Sequence, residues 1–305
     1  MHGKFYNEAV LELSLRPRTP LLIASGAATG LDPTLPEPQF IRTHRRKEDG
    51  TVEEVIYIPG SSFRGVLRSH AERLVRSVHE DQACRVTEKT CLQQKLSRLG
   101  KKETELEGSE AYKNSCYVCR LFGNTGIAAR IRVADFYPTG PLLTEIRPGV
   151  AIDRVTGGVV QGLFFQMELV TDGEFVGQIS LRNFTLGQLG LLAASLLDIG
   201  DGLVPLGHGK SRGLGRVSLN VKNVTFRFLQ PPHDALRGVG ALADEQTRKA
   251  YALPKPEDEA FPMPPSAKIS HEHVFFLVAL EAEAAKDLFE KVASHWVKEL
   301  EVEKK

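Results

Sequence analysis

Four cysteines, Cys84, Cys91, Cys116 and Cys119, fall within 36 residues of a 305-residue chain, spaced C-x6-C-x24-C-x2-C. Two thiolates two residues apart, as in "SCYVCRLFG", can grip one ion. Two more complete the closed tetrahedral shell of a structural zinc site. His79, five residues before Cys84, is an alternative nitrogen ligand. The competing reading is four buried, inert thiols. Between the cysteine pairs lies the charged "KLSRLGKKETELEG", with little core of its own, so chelation would pin this insertion to the body. A second stretch, "PLGHGKSRGLGRVSL" at 205–219, combines Gly207, Gly209, Gly213 and Gly215 with Lys210, Arg212 and Arg216. Bare backbone of this kind can approach a phosphate closely, and the cations supply charge. Its spacing is neither GxxxxGK[ST] nor GxGxxG in a strand–helix context, so a nucleotide cradle competes with a solvated turn.

These groups must be carried by a folded body. Hydrophobic residues make up 42% and charged residues 25% of the chain, proportions that suit a sizeable core. The net charge is only +1, so any nucleic-acid affinity must come from local clusters of cations. No run is long and apolar enough for a membrane helix, and the start lacks a signal-peptide core; the expectation is a cytoplasmic protein with reduced thiols. "AVLELSL" alternates as a half-buried strand. "EVIYIP" predicts a short strand, and "GSSFRGVLRSHAERLVRSVHE" a helix capped by Ser61 or Ser62. Phe63, Leu67, Leu74 and Val78 share one face of that helix, and Arg64 and Arg68 another, ordinarily a solvated one. "IAARIRVADFYP", "LFFQMELV", "EFVGQISLRNF" and "RVSLNVKNVTFRF" read as strands. Before the last comes "TLGQLGLLAASLLDIGDG", an apolar helix with Thr185 as N-cap. Strand, helix, strand, strand, helix, strand predicts an α+β, ferredoxin-like sheet with helices on one face. Residues 229–267 read as a Pro-rich linker, followed by a strand "HVFFLVALE" and a helix through Lys304.

Four pieces in order, "IPGSSFRGVLRSHAERL", "CRLFG", "AIDRVTGGVVQGLFFQMEL" and "LGHGKSRGLGRV", resemble the RAMP superfamily. More narrowly, they resemble backbone subunits of type III CRISPR RNA-guided effector complexes. The resemblance runs from about Leu11 to Val217 and does not cover 229–305. It implies a modified RNA-recognition fold over residues 1–228, with a zinc-binding insertion at 80–122 and a thumb hairpin at 148–168. The 229–305 region would be a linker and strand–helix extension. It further implies that the chain polymerises along a crRNA and pairs it with target RNA. The other partners would be further RAMP subunits and the large polymerase/cyclase-type subunit, in antiviral defence. The guide backbone would lie against Arg42, His44, Arg45, Ser61, Ser62, Arg64, Arg68, His208, Lys210 and Arg212. The thumb tip, near "TGGVVQG", would wedge between guide and target through Ile152, Arg154, Val159 and Val160.

Relatives that cut target RNA carry an aspartate shortly before an aliphatic pair and an arginine. Counting back from Phe40, Ile41 and Arg42 reaches Glu37, with Asp32 five residues earlier in the same loop. The resemblance therefore implies Asp32 and Glu37 as catalytic carboxylates using Mg2+ or Mn2+ to help a 2′-hydroxyl attack its own phosphate. Read alone, both acids are ordinary turn residues beside proline, and His44, Arg45 and Arg46 form a basic loop. Three functions stay open: an RNA-guided endoribonuclease subunit, a non-catalytic crRNA scaffold, and a zinc-stabilised enzyme using the 205–219 loop for a mononucleotide. The two acids and Arg42 favour the first.

Overall fold

The computed structural model describes residues 3–24, 38–47, 49–85, 90–100 and 106–303. Chain order opens with β1 (Asn7–Pro17), β2 (Arg42–Arg46), β3 (Val52–Ile56) and α1 (Gly60–Val78). Three short helices follow: α2 (Cys91–Leu99), α3 (Gly108–Lys113) and α4 (Tyr117–Phe122). Next come β4 (Ile131–Val133), β5 (Tyr137–Pro138), β6 (Leu143–Ile152), β7 (Val159–Asp172) and β8 (Phe175–Arg182). The helix α5 (Leu186–Gly200) leads through the Gly-rich loop to β9 (Val217–Phe228). The remainder holds β10 (Ala235–Arg237), α6 (Val239–Leu242), α7 (Glu245–Tyr251), β11 (Ala260–Pro262), β12 (Lys268–Glu272), β13 (Phe275–Glu281), α8 (Ala282–Val292) and α9 (His295–Glu303).

The central sheet has the order β12-β13-β9-β1-β8-β4, with β5 also pairing β8, and all its pairs are antiparallel. The run β1-α1-β4-β8-α5-β9 thus places its four strands in the order β9-β1-β8-β4, as the alternating pattern predicts. Leu11, Leu13 and Leu15 of β1 are fully buried on one face, joined in register by Ile179 of β8 and Val224 of β9. Against that face pack α1, α5 and α8, through Phe63 and Leu67, Leu192 and Leu196, and Leu288 and Phe289. Thr185 caps α5 as expected: its hydroxyl accepts the Gln188 N–H, and the Gln188 side chain accepts the Thr185 N–H.

Three expectations change. The helix α1 is not capped by Ser61 or Ser62; it starts at Gly60 after Pro59, and Asp135 Oδ1 accepts the Gly60 N–H at 2.7 Å. Proline presets the entry angle, and a carboxylate suits a helix N-terminus, so no serine cap is needed. Ala71 and Val75, rather than Leu74 and Val78, complete the buried stripe of α1. The Pro-rich 229–267 stretch is folded rather than a free linker. Val239, Ala243 and Leu253 form a second core with Leu92, Leu96, Ala111 and Tyr112. The insertion therefore shares a core with the C-terminal region, and β13 pairs β9 to widen the main sheet. Among the described residues, no helix is long and apolar enough to cross a membrane.

Candidate nucleic-acid interface

The segment Pro20–Ala24, which follows the first strand, is a junction for three other parts of the chain. Its carbonyls accept from the Gly-rich loop: His208 N–H to Leu22 O at 2.7 Å and Gly215 N–H to Pro20 O at 2.9 Å. Leu21 and Val170 exchange backbone bonds, which ties the segment to the root of the β6–β7 hairpin. Ile41 N–H donates to Ile23 O at 2.9 Å, so β2 starts at the same place. The predicted catalytic residues Asp32 and Glu37 lie outside the described residues, in the stretch that leaves and rejoins this junction.

The glycines explain how the loop sits so close. Gly207, Gly209, Gly213 and Gly215 all have φ between +69° and +86°, where a side chain is strained. A Cβ at Gly207 would collide with the Leu22 carbonyl, and one at Gly215 with that of Leu206. Two of the four glycines are therefore required by backbone packing. Between them, Lys210–Arg212 form a short 3-10 turn with all three residues exposed. His208 and Arg212 lie 3.0 Å apart through Nε2 and Nη2. Partial desolvation and the nearby Arg73 guanidinium lower the Lys210 pKa, and no acid among the described residues pairs with it.

The strand β2 carries three of the predicted contacts, and with β3 it forms a hairpin rather than the basic loop. Arg42 is committed to Glu168 of β7 in a forked ion pair, and Glu168 also accepts the Phe40 N–H at 3.1 Å. That pair raises the Arg42 pKa and locks β2 to the hairpin root. His44 and Arg45 are exposed, and the Arg45 guanidinium stacks 5.1 Å from the centre of the Tyr137 ring. Tyr137 in turn stacks on Tyr57 with ring centroids 5.9 Å apart, next to Asp135 and the exposed Ser61 and Ser62. Tyr57 and Tyr137 form an aromatic step that spacing does not reveal; only their proximity to basic strands hints at it.

The β6–β7 hairpin ends in a turn over Asp153–Gly158, where Asp153 Oδ1 accepts the Val155 and Thr156 N–H groups at 2.8 and 2.7 Å. The turn thus comes slightly earlier than the "TGGVVQG" expectation. Ile152 pairs with Val159 just before it, and both are about two-thirds exposed, at 63% and 64%. Ile146, Val150 and Phe164 continue this exposed apolar surface down the hairpin. Arg154 is exposed in the turn, and Val160 is half-buried.

The four cysteine sulfurs lie within 4.8 Å of one another, and Cys84 Sγ and Cys119 Sγ are 3.5 Å apart. A disulfide needs about 2.05 Å. A tetrahedral zinc with bonds of about 2.3 Å spaces its sulfurs by roughly 3.8 Å. The quartet has the spacing that suits one metal ion such as zinc, and His79 is not part of it. Hydrogen bonds from Cys116 and its neighbours draw the Cys84 thiol well below the usual range and Cys91 to about 7. Cys119 is pushed up, first by Cys116. Nearby, Arg64 donates to Phe122 O, and Arg68 reaches Gly123 O at 3.2 Å and Cys119 Sγ at 3.4 Å. Arg42, His44 and Arg45 lie on β2, whose partner β3 leads through Tyr57 into the start of α1 at Ser61 and Ser62, while Arg64 and Arg68 turn to the cysteine knuckle.

The family model of the RAMP superfamily matches residues 14–218, about two-thirds of the sequence. The chain belongs to the RAMP superfamily. No curated protein matches it. Membership implies a CRISPR-associated RNA-binding subunit. The matched span of this RAMP protein contains the junction, the hairpin, the cysteine quartet and the Gly-rich loop. Most of β9 and everything from β10 to α9 lie beyond it.

Proposed function

We propose that this RAMP protein is a crRNA-binding backbone subunit of a type III CRISPR interference complex, with a modified ferredoxin-like core, a zinc-pinned insertion and the β6–β7 hairpin as its thumb. The guide's sugar–phosphate chain follows the Gly-rich loop and the Pro20–Ala24 junction toward Ser61 and Ser62. Lys210, Arg212, His208, His44 and Arg45 contact it, and Tyr57 and Tyr137 offer a stacking surface. Binding through such groups is sensitive to salt and indifferent to sequence. The observation that carries this reading is the junction itself, where the Gly-rich loop, β2 and the hairpin root are hydrogen-bonded to one five-residue segment. Ile152 and Val159, with Arg154 and Val160 beside them, face the guide–target duplex. Exposed apolar side chains there replace stacking lost when a base is displaced. Target RNA, further RAMP subunits and a large polymerase/cyclase-type subunit complete the assembly.

Against a mononucleotide enzyme stands the loop's place in the chain. It follows α5 and leads into a strand, whereas the P-loop and dinucleotide-binding loops that hold a free nucleotide run from a strand into a helix N-terminus. Two of its glycines also serve packing. Cleavage of the target is the further part of the proposal. Asp32 and Glu37 would hold Mg2+ or Mn2+, which supplies charge stabilisation to the in-line attack.

The test is expression of the full chain and sizing of whatever nucleic acid copurifies. RNA of uniform length is expected; nucleic-acid-free protein that turns over free nucleotide would overturn the proposal. For cleavage, the assembled complex is given labelled complementary RNA and magnesium. Regularly spaced products that vanish in Asp32→Ala or Glu37→Ala support it, and intact target leaves a non-catalytic scaffold.

A further inference from the structure

A divalent metal held by four thiolates carries a net charge of −2, and an interior dianion needs donors or a cation around its sulfurs. One donor is backbone: the Cys116 N–H points to Cys91 Sγ at 3.2 Å. The charged one is Arg68, from the neighbouring helix α1. Its Nη2 lies 3.4 Å from Cys119 Sγ, its Nη1 donates to Gly123 O at 3.2 Å, and its Nε donates to Glu72 Oε1 at 2.9 Å. All three guanidinium nitrogens are therefore engaged. Glu72 fixes the fork from behind, so the group is held rather than adjustable. One turn earlier on α1, Arg64 donates to Phe122 O, the carbonyl just before Gly123. Arg64 and Arg68 together seal the C-terminal end of α4, the helix that carries Cys119.

We infer that Arg68 is the charge-balancing outer partner of the metal centre, and that it couples metal retention to the seating of α1. This gives Arg68 a role other than phosphate contact, and it rests on the reading that the quartet holds zinc. A lysine keeps the charge but gathers its donors on one nitrogen, whereas Arg68 reaches Glu72, Gly123 and Cys119 from three separate nitrogens in a fixed fork. Loss of an outer partner commonly weakens metal binding about 10- to 100-fold.

The experiment uses the full chain purified with zinc as wild type, Arg68→Gln and Arg68→Lys. Metal content is measured by elemental analysis, and the rate of zinc transfer to a colorimetric chelator is followed at neutral pH. The wild type should hold one zinc per chain and release it slowly. Arg68→Gln should release it at least about tenfold faster, and Arg68→Lys at an intermediate rate. If the wild type holds no zinc, the reading of the quartet fails and the inference with it. If the wild type holds zinc and both variants release it at the same rate, only the role of Arg68 is overturned. Should Arg68→Gln not fold, the comparison of wild type with Arg68→Lys decides, and equal rates sink the inference.

Discussion

At the cysteine knuckle, Arg64 and Arg68 end on protein atoms; on the Gly-rich loop and the outer part of β2, His44, Arg45, Lys210 and Arg212 are exposed to solvent, while Arg42 is held by Glu168. Arg64 and Arg68 spend their donors on Phe122 O, Gly123 O, Glu72 and a cysteine sulfur. Lys210, Arg212, His44 and Arg45 are exposed, and Lys210 sits near Arg73 with no acid among the described residues to pair with it. Like charges held close without an acid leave room for an anion, whereas buried donors with carbonyl partners hold a fold together. Changes on the first side should act on stability before binding. Changes to the exposed cations of the second should act on binding alone.

The largest effect is expected at the quartet. Cys119→Ser should lose the metal and lower the midpoint of thermal unfolding by about 10 °C or more, measured by calorimetry. A melting curve that matches the wild type would break the knuckle half of the comparison. Next is Gly207→Ala, which adds a Cβ against the Leu22 carbonyl in a left-handed conformation. It should cost about 2–3 kcal/mol in chemical denaturation and weaken RNA binding with it, because it spreads the junction. Unaltered stability would show that the loop is not clamped there. Arg64→Gln sharpens the contrast at smaller scale. It should cost roughly 1–2 kcal/mol through the lost bond to Phe122, with RNA affinity within about twofold of wild type. A selective loss of RNA binding would move Arg64 to the other side. The double change Ile152→Ser/Val159→Ser should leave the melting curve in place and reduce retention of a guide–target duplex relative to guide alone, measured by filter binding.

Local patterning made much of the fold legible. The i, i+2 alternation of Leu11, Leu13 and Leu15 identified β1, and Thr185 as N-cap identified the start of α5, because each depends on neighbours in sequence. The close spacing of Cys116 and Cys119 likewise announced the sulfur cluster. What stayed hidden depends on distant partners. The 229–267 stretch looked like a linker because its prolines break periodicity, and Val239 and Leu253 pack on Leu92, Leu96, Ala111 and Tyr112, more than a hundred positions away. Ser61 looked like a cap because Asp135, the residue that satisfies Gly60, is 75 positions on. Arg64 and Arg68 looked free because nothing in a helical spacing shows that Phe122 and Gly123 present carbonyls to them. The aromatic step of Tyr57 and Tyr137 was invisible for the same reason.

The solvent-facing cations of the Gly-rich loop are expected to hold an RNA backbone. The direct measurement is the affinity of the chain for a single-stranded RNA across a salt series, for wild type and for Lys210→Ala/Arg212→Ala. With two phosphate contacts removed, the slope of log affinity against log salt should become shallower by about 1.4, at unchanged thermal stability. An identical slope in the two proteins would contradict it.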